Sequence, residues 1–145
     1  MTVRRLLAAI AGAVALPGAS LTGQDSLPPA VASAFHQTYP AARVLHVSKE
    51  RQGGKVVYEI ESRDGETRRD LIYSTTGAVL EIEERIPVDS VPAVVRAAAE
   101  RRVTGAKLVG AERVTRGTVM LFEVQLRVNG RSRFLTYDPE GKAVE

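Results

Sequence analysis

No cysteine occurs among the 145 residues, which excludes disulfides, thiol nucleophiles and thiolate metal sites. Any folded part is therefore held by packing alone. Tryptophan is absent as well, and three Phe and four Tyr are the only aromatic side chains. Charge of one sign is also scarce. The 20 Lys+Arg face 17 Asp+Glu, a net charge of +3, and Arg4 and Arg5 account for two of the 20. A nearly neutral chain with so few aromatics is a poor nucleic-acid binder. No Gly-x-Ser-x-Gly elbow, His-x-x-x-His pair or phosphate-cradling glycine loop is present, so the common hydrolase, metalloprotease and nucleotide-binding signatures are missing.

Long hydrophobic runs are missing too, with one exception. Arg4-Arg5 precedes an uncharged apolar stretch from Leu6 to Leu16, followed by Pro17 and the small residues Gly18-Ala19-Ser20. That order matches the charged region, apolar core and cleavage region of a secretory signal, and the run is too short to anchor a protein permanently in a bilayer. Residues 1–24 are expected to be a signal peptide with a short leader, making the mature chain periplasmic or secreted. Leu21 to Gln24 resembles a lipoprotein signal with Gln where the lipidated Cys would stand; with no thiol to modify, no lipid anchor is expected.

The remaining residues show self-similarity at a shift of 63 to 65 positions. Pro29-Ala30-Val31 falls on Pro92-Ala93-Val94, Tyr58-Glu59-Ile60 on Phe122-Glu123-Val124, and Arg69 to Tyr73 on Arg133 to Tyr137. Asp64-Gly65 meets Asn129-Gly130, and Gly77 meets Gly141. The matches fall on turn glycines, aromatic strand positions and helix starts, so the expectation is two tandem repeats, 25–85 and 86–145. The charge divides unevenly between them: 8 basic and 10 acidic residues in the first, 10 and 7 in the second.

Each half begins with a helical pattern. Val31, Ala34 and Phe35 share one face behind Pro28-Pro29, which suits a first turn, and Tyr39-Pro40 ends it. Val91, Val94, Val95 and Ala98 form the second stripe. The period then changes from 3.6 to 2. Val56, Tyr58 and Ile60 alternate with Val57, Glu59 and Glu61; Met120, Phe122, Val124 and Leu126 alternate with Leu121, Glu123, Gln125 and Arg127. Such alternation marks half-buried antiparallel strands. Asp64-Gly65 and Asn129-Gly130 predict tight hairpins, whereas Gln52-Gly53-Gly54 and Arg116-Gly117 predict looser ones. Leu71, Tyr73, Leu135 and Tyr137 are expected in the core. The expected fold class is α+β: two helix-plus-antiparallel-meander repeats forming one sheet, with both helices on one face and residues 86–89 as a short link.

The runs Leu27-Pro28-Pro29-Ala30-Val31, Tyr39-Pro40-Ala41-Ala42-Arg43-Val44 and Gly53-Gly54-Lys55-Val56-Val57-Tyr58-Glu59-Ile60 resemble the PepSY-like family. The resemblance covers nearly all of the chain after residue 24 and is clearest from Leu27 to Leu80. Members of that family resemble the secreted β-lactamase inhibitor protein in fold, and many carry two repeats behind a signal peptide. The resemblance implies a non-enzymatic module that inhibits or regulates another extracytoplasmic protein. It carries no catalytic residue and no cofactor to this chain.

The candidate binding surface is the sheet face turned away from the helices. Alternation places Val57, Glu59, Glu61, Arg68, Leu121, Glu123, Gln125, Arg127 and Phe134 there, with Val57, Leu121 and Phe134 as exposed apolar anchors among charges. The expected partner is another envelope or secreted protein; the alternative is a small-molecule or envelope-stress sensor with a ligand between the two repeats. The i, i+2 carboxylates Glu59 and Glu61, and Glu81, Glu83 and Glu84, read as outward residues that keep a sheet soluble rather than an acid–base pair. His36 and His46 have no ligand spacing, and no metal site or cofactor is expected.

Overall fold

A computed structural model describes residues Leu27 to Val144; the expected signal peptide lies outside the described residues. Helix α1 (Pro29–Thr38) follows Pro28, which caps it in an extended conformation at φ −56° and ψ 142°, and ends at Tyr39, whose N–H donates to the Phe35 carbonyl. Strands β1 (Arg43–Gln52), β2 (Lys55–Asp64), β3 (Thr67–Ser74) and β4 (Val79–Ile86) come next. A 3-10 turn at Val88–Ser90 leads to α2 (Ala93–Arg102), then β5 (Lys107–Arg116), β6 (Val119–Val128), β7 (Arg131–Tyr137) and the short β8 (Ala143–Val144).

The strands form one eight-stranded antiparallel sheet in sequence order, each bonded to its chain neighbour. Such a meander needs only hairpins, except where α2 intervenes between β4 and β5. Those two strands still pair directly, from Ile82 opposite Thr115 to Ile86 opposite Ala111. The expected link at 86–89 therefore separates two helices but not two sheets.

Both helices cover the same sheet face. Val31 and Phe35 of α1 bury against Tyr58, Ile60, Leu71 and Tyr73, with Leu27 closing the end. Val95 and Ala99 of α2, with Val91 before it, bury against Ala111, Phe122, Val124, Leu126 and Tyr137. The cross-strand partners Ile60–Leu71, Val124–Ala111 and Phe122–Tyr137 show that these residues share one side. Between the two apolar clusters sits an ionic bridge. Glu84 of β4 accepts from Arg69 Nε of β3 at 2.7 Å and from Arg113 of β5 at 2.5 Å. The Arg69 guanidinium also lies 5.0 Å from the centre of the Tyr39 ring at the end of α1, within reach of a cation–π attraction.

The structure corrects several expectations. Val94 is 47% exposed rather than in the α2 stripe, because the buried positions Val91, Val95 and Ala99 recur every four residues and leave Val94 on the flank. Met120 is also exposed, since it lies at the hairpin end of β6, away from the residues beneath α2. The turns differ too. Gln52 pairs with Lys55 and Arg116 with Val119, so these hairpins are as tight as the others. At the Asp64-Gly65 site the turn residues are Gly65 and Glu66, because Asp64 pairs with Thr67; only Gly65 there has positive φ. At Asn129-Gly130 both residues do, as expected.

Gly77, at φ +84°, sits under α1: a Cβ there would lie 2.6 Å from the Ala30 carbonyl oxygen. Gly53, at φ +57°, has open space around it. Gly77→Ala is thus expected to destabilise the fold by about 2 kcal/mol or more, strain plus clash, and Gly53→Ala by only about 1 kcal/mol of strain. Thermal melts of the two variants, compared with the parent, check the ranking. Glu84→Gln leaves Arg69, whose side chain is only 17% exposed, without its counter-charge. A loss of about 3 kcal/mol is expected in urea unfolding, larger than for Arg85→Gln, whose side chain is 51% exposed.

Candidate functional site

The sheet side opposite the helices carries no helix, and its residues follow from the register. Glu61 of β2 stands opposite His46 of β1 and Asp70 of β3, and Asp70 opposite Glu83 of β4. Glu83 continues to Val114 of β5 and Leu121 of β6. One row over, Glu59 faces Ser48 and Ile72, and Ile72 faces Glu81. On the other side Arg85 faces Glu112, and Glu112 faces Glu123. Carboxylates thus stand next to one another across adjacent strands, an arrangement that costs free energy unless something compensates.

Arginines compensate in part. Arg68 lies 3.9 Å from Glu61, Arg85 reaches Glu112 at 3.5 Å, and Arg116 bonds Glu81. Ser48 Oγ lies 3.2 Å from carboxylate oxygens of both Glu50 and Glu59. Among the described residues, Asp70, Glu83 and Glu123 have no salt-bridge partner. Burial, followed by the charges of Glu61 and Glu112, pushes Asp70 up to about 6. Burial, a hydrogen bond with Glu81 and repulsion from Glu81, Glu112 and Glu123 push Glu83 up to about 8. Glu123 is raised by burial and by Glu112, and Glu59 by burial and by Glu50.

A hollow of about 140 Å³ opens beside this array, lined in part by Arg85, Glu112, Glu123, Gln125 and Phe134. Gly110 forms part of its wall because β5 shifts register between Leu108 and Gly110, setting Gly110 opposite Gln125. A Cβ at Gly110 would stand 3.0 Å from the Gln125 side-chain oxygen. The Gln125 amide nitrogen donates to Ser132 Oγ at 3.0 Å, which holds it across β6 and β7.

The sequence-derived site residues all share this face by register. Glu123, Gln125 and Phe134 meet at the hollow; Glu59, Glu61 and Arg68 belong to the acidic rows farther along; Arg127, exposed and opposite Lys107 and Ser132, lies at the rim. Two expected anchors are not anchors. Val57 is 3% and Leu121 8% exposed. Leu121 stands directly opposite the buried Val114, and Val57 opposite Glu50 and Ser74, so cross-strand neighbours cover them where no helix does. Phe134, 37% exposed, remains an accessible apolar residue. Sequence reasoning missed Asp70, Glu112, Arg85, Arg116 and Gly110. It also read Glu81, Glu83 and Glu84 as one outward group, whereas Glu84 points to the helix side. Period-two spacing was the available signal; the strand pairing that joins these residues was not.

Among the described residues, no group of three or more His, Asp or Glu is arranged to hold a metal ion, and no helix is long and apolar enough to cross a membrane.

Comparison with known proteins places the architecture. A candidate periplasmic protein from Bacteroides eggerthii DSM 20697 superposes with a TM-score of 0.68 at 14% identity, covering 82% of this chain and 86% of that one. A DUF2874 family protein from Bacteroides ovatus ATCC 8483 gives 0.64 at 14% identity, with 82% and 85% covered. A BLIP-like protein from Bacteroides fragilis NCTC 9343 gives 0.60 at 18% identity, with 84% and 89% covered. The fold is BLIP-like. At these identities the likeness is one of fold. No protein-family model matches the chain, and no curated protein matches it in sequence.

The raised carboxyls have a consequence for stability. Asp70 and Glu83 hold protons more firmly in the folded chain than their ordinary values of 3.8 and 4.5 allow. Between those values and about 6 and 8 the folded state therefore binds more protons than the unfolded, and stability falls as pH rises through that window. Glu83→Gln removes the larger contribution. Its melting temperature is expected to exceed the parent's by several degrees at pH 8 and to match it near pH 4.5, as pH-resolved thermal melts would show.

Proposed function

We propose that this chain is an exported, non-enzymatic binding module, inhibitor-like or regulatory towards another extracytoplasmic protein, and that it docks through the open sheet face. The observation that carries the reading is that face itself: half-buried charged side chains with an accessible Phe134 and no helix over them. Mixed charge around an accessible aromatic suits a protein interface, where aromatic anchors supply affinity and charges select the partner. The hollow, at about 140 Å³, is below the roughly 300–1,000 Å³ of pockets that enclose a small molecule. That favours a protein partner over a ligand sensor or an enzyme.

Export rests on the order of charge, apolar core and small residues in positions 4–20, and a periplasmic or secreted site is supported by the candidate periplasmic neighbour. The reading includes two copies of one PepSY-like unit. Three correspondences support it. β1 shifts register between Val44 and His46, as β5 does between Leu108 and Gly110. Gly77 lies under the Ala30 carbonyl of α1, and Gly141 under the Val94 carbonyl of α2. Tyr73 and Tyr137 are both buried beneath their helix.

The test uses the chain from Leu21 onward as bait for extracytoplasmic proteins of its own source. Phe134→Asp is expected to weaken a captured partner by roughly thirtyfold, the effect of losing an anchor of about 2 kcal/mol. Met120→Asp, which alters an exposed apolar residue on the helix side, is expected to leave it unchanged. A partner held equally by parent and Phe134→Asp would place the docking surface elsewhere.

A further inference from the structure

We infer that the partner presents arginine-bearing segments to this face, one guanidinium seating in the hollow between Phe134 and Glu123. The inference rests on the docking reading above and names the chemistry of its occupant. Without Arg4 and Arg5 the chain is nearly neutral, with 18 basic and 17 acidic residues. Yet its open face gathers Glu59, Glu61, Asp70, Glu81, Glu83, Glu112 and Glu123, against Arg68, Arg85 and Arg116 near the centre. The centre of the face therefore carries more negative than positive charge, while Arg43, Lys55, Arg63, Lys107 and Arg127 lie at its margins by register.

The internal pairing is also incomplete in a particular way. Arg68, Arg85 and Arg116 are committed to Glu61, Glu112 and Glu81. Asp70, Glu83 and Glu123 form no salt bridge among the described residues, and the nearby Arg68 and Arg85 at Asp70 and Arg116 at Glu123 offset burial and the repulsion of like-charged neighbours only in part. A partner cation reverses both penalties at once. It supplies the missing charge and does so where water is already partly excluded, so the attraction is stronger than on an open surface.

The hollow selects among cations. Phe134 offers a ring and Glu123 a carboxylate free of any salt bridge, and Arg85, which also lines the hollow, is paired with Glu112 at 3.5 Å. A planar guanidinium stacks on a ring while donating to a carboxylate, which the ammonium of lysine does less well. Adjacent strands space the remaining carboxylates about 4.8 Å apart, close to the 5–6 Å between side chains three or four apart on a helix. A partner helix lying across the strands would therefore set successive arginines over the row Glu61, Asp70 and Glu83.

Fluorescein-labelled twelve-residue helical peptides test this at pH 8 by anisotropy, with arginine, lysine or citrulline at every fourth position. Citrulline keeps the shape of arginine and removes its charge. The arginine peptide is expected to bind, the lysine peptide several-fold more weakly, and the citrulline peptide at least tenfold more weakly. The pair Asp70→Asn and Glu123→Gln is expected to cost the arginine peptide at least tenfold, and Phe134→Ala to abolish the preference for arginine over lysine. Glu140→Gln, an exposed acid away from the face, should cost nothing comparable. Equal binding of the citrulline peptide, no binding of the arginine peptide at millimolar concentration, or equal losses with Glu140→Gln would each overturn the inference. A natural partner lost with Phe134→Asp but fully held by Asp70→Asn/Glu123→Gln would remove the cationic chemistry and leave the docking face standing. A partner indifferent to both would remove the two together.

Discussion

Two ten-residue helices on one side of an eight-stranded sheet leave the other side to water, and most of the structure answers to that constraint. Every strand must present apolar residues to the helices and tolerable ones to solvent, hence the strict alternation of β2 and β6. A large sheet left half open also exposes its twist and its cross-strand neighbours. Side chains on the open side then shield one another, which is how Val57, Val114 and Leu121 become buried with no helix above them. The same mutual shielding half-buries the carboxylates and raises Asp70 and Glu83. A fully solvated surface would not do this; a fully covered one would not tolerate the charges.

The second organising feature is the seam. Two apolar clusters, one per helix, do not merge, and the residues between them are Arg69, Glu84 and Arg113 on three successive strands. An ionic bridge here does something a leucine would not. It demands particular strands at particular register, because Glu84 must reach β3 and β5 at once. On the helix side it joins a β4–β5 backbone ladder of five residue pairs, which Arg85–Glu112 and Arg116–Glu81 reinforce on the open side. The Arg69 guanidinium against Tyr39 ties the same bridge to the end of α1. Polar specificity at the seam and apolar affinity under each helix are complementary, and the continuous sheet depends on both.

Fold class, helix positions, strand faces and most turns were legible in the residues, because each follows from local chemistry: prolines starting helices, a period of two, glycines at positive φ. What was not legible follows from pairing. Glu61, Asp70 and Glu83 are distant in sequence and adjacent in the sheet, so no single-strand pattern brings them together. The misreading of Val57 and Leu121 has the same origin. Alternation says which side a residue faces, and only its neighbours say whether that side is wet. At Asp64-Gly65 the dipeptide signal marked a real hairpin but mislocated it by one residue, since Gly65 alone can take the first turn position and Glu66 accepts the second. Val94 failed because a three-residue step was read where the helix buries every fourth residue.

Charge is arranged differently on the two faces of the sheet. A fold seeking stability alone would place arginine beside each buried acid, as it does around Glu84. On the open face it stops short. Arg68, Arg85 and Arg116 pair with Glu61, Glu112 and Glu81, and they offset the burial and like-charged neighbours of Asp70 and Glu123 only in part. Asp70 and Glu83 hold their protons to higher pH than ordinary carboxyls, so the fold loses stability as pH rises and they ionise. Strain of this sort survives in a marginally stable chain only where the rest of the fold can carry it. Here the two apolar clusters and the Glu84 bridge lie on the opposite side, insulated from the open face by the sheet. The separation lets one side hold the structure while acids on the other keep like-charged neighbours.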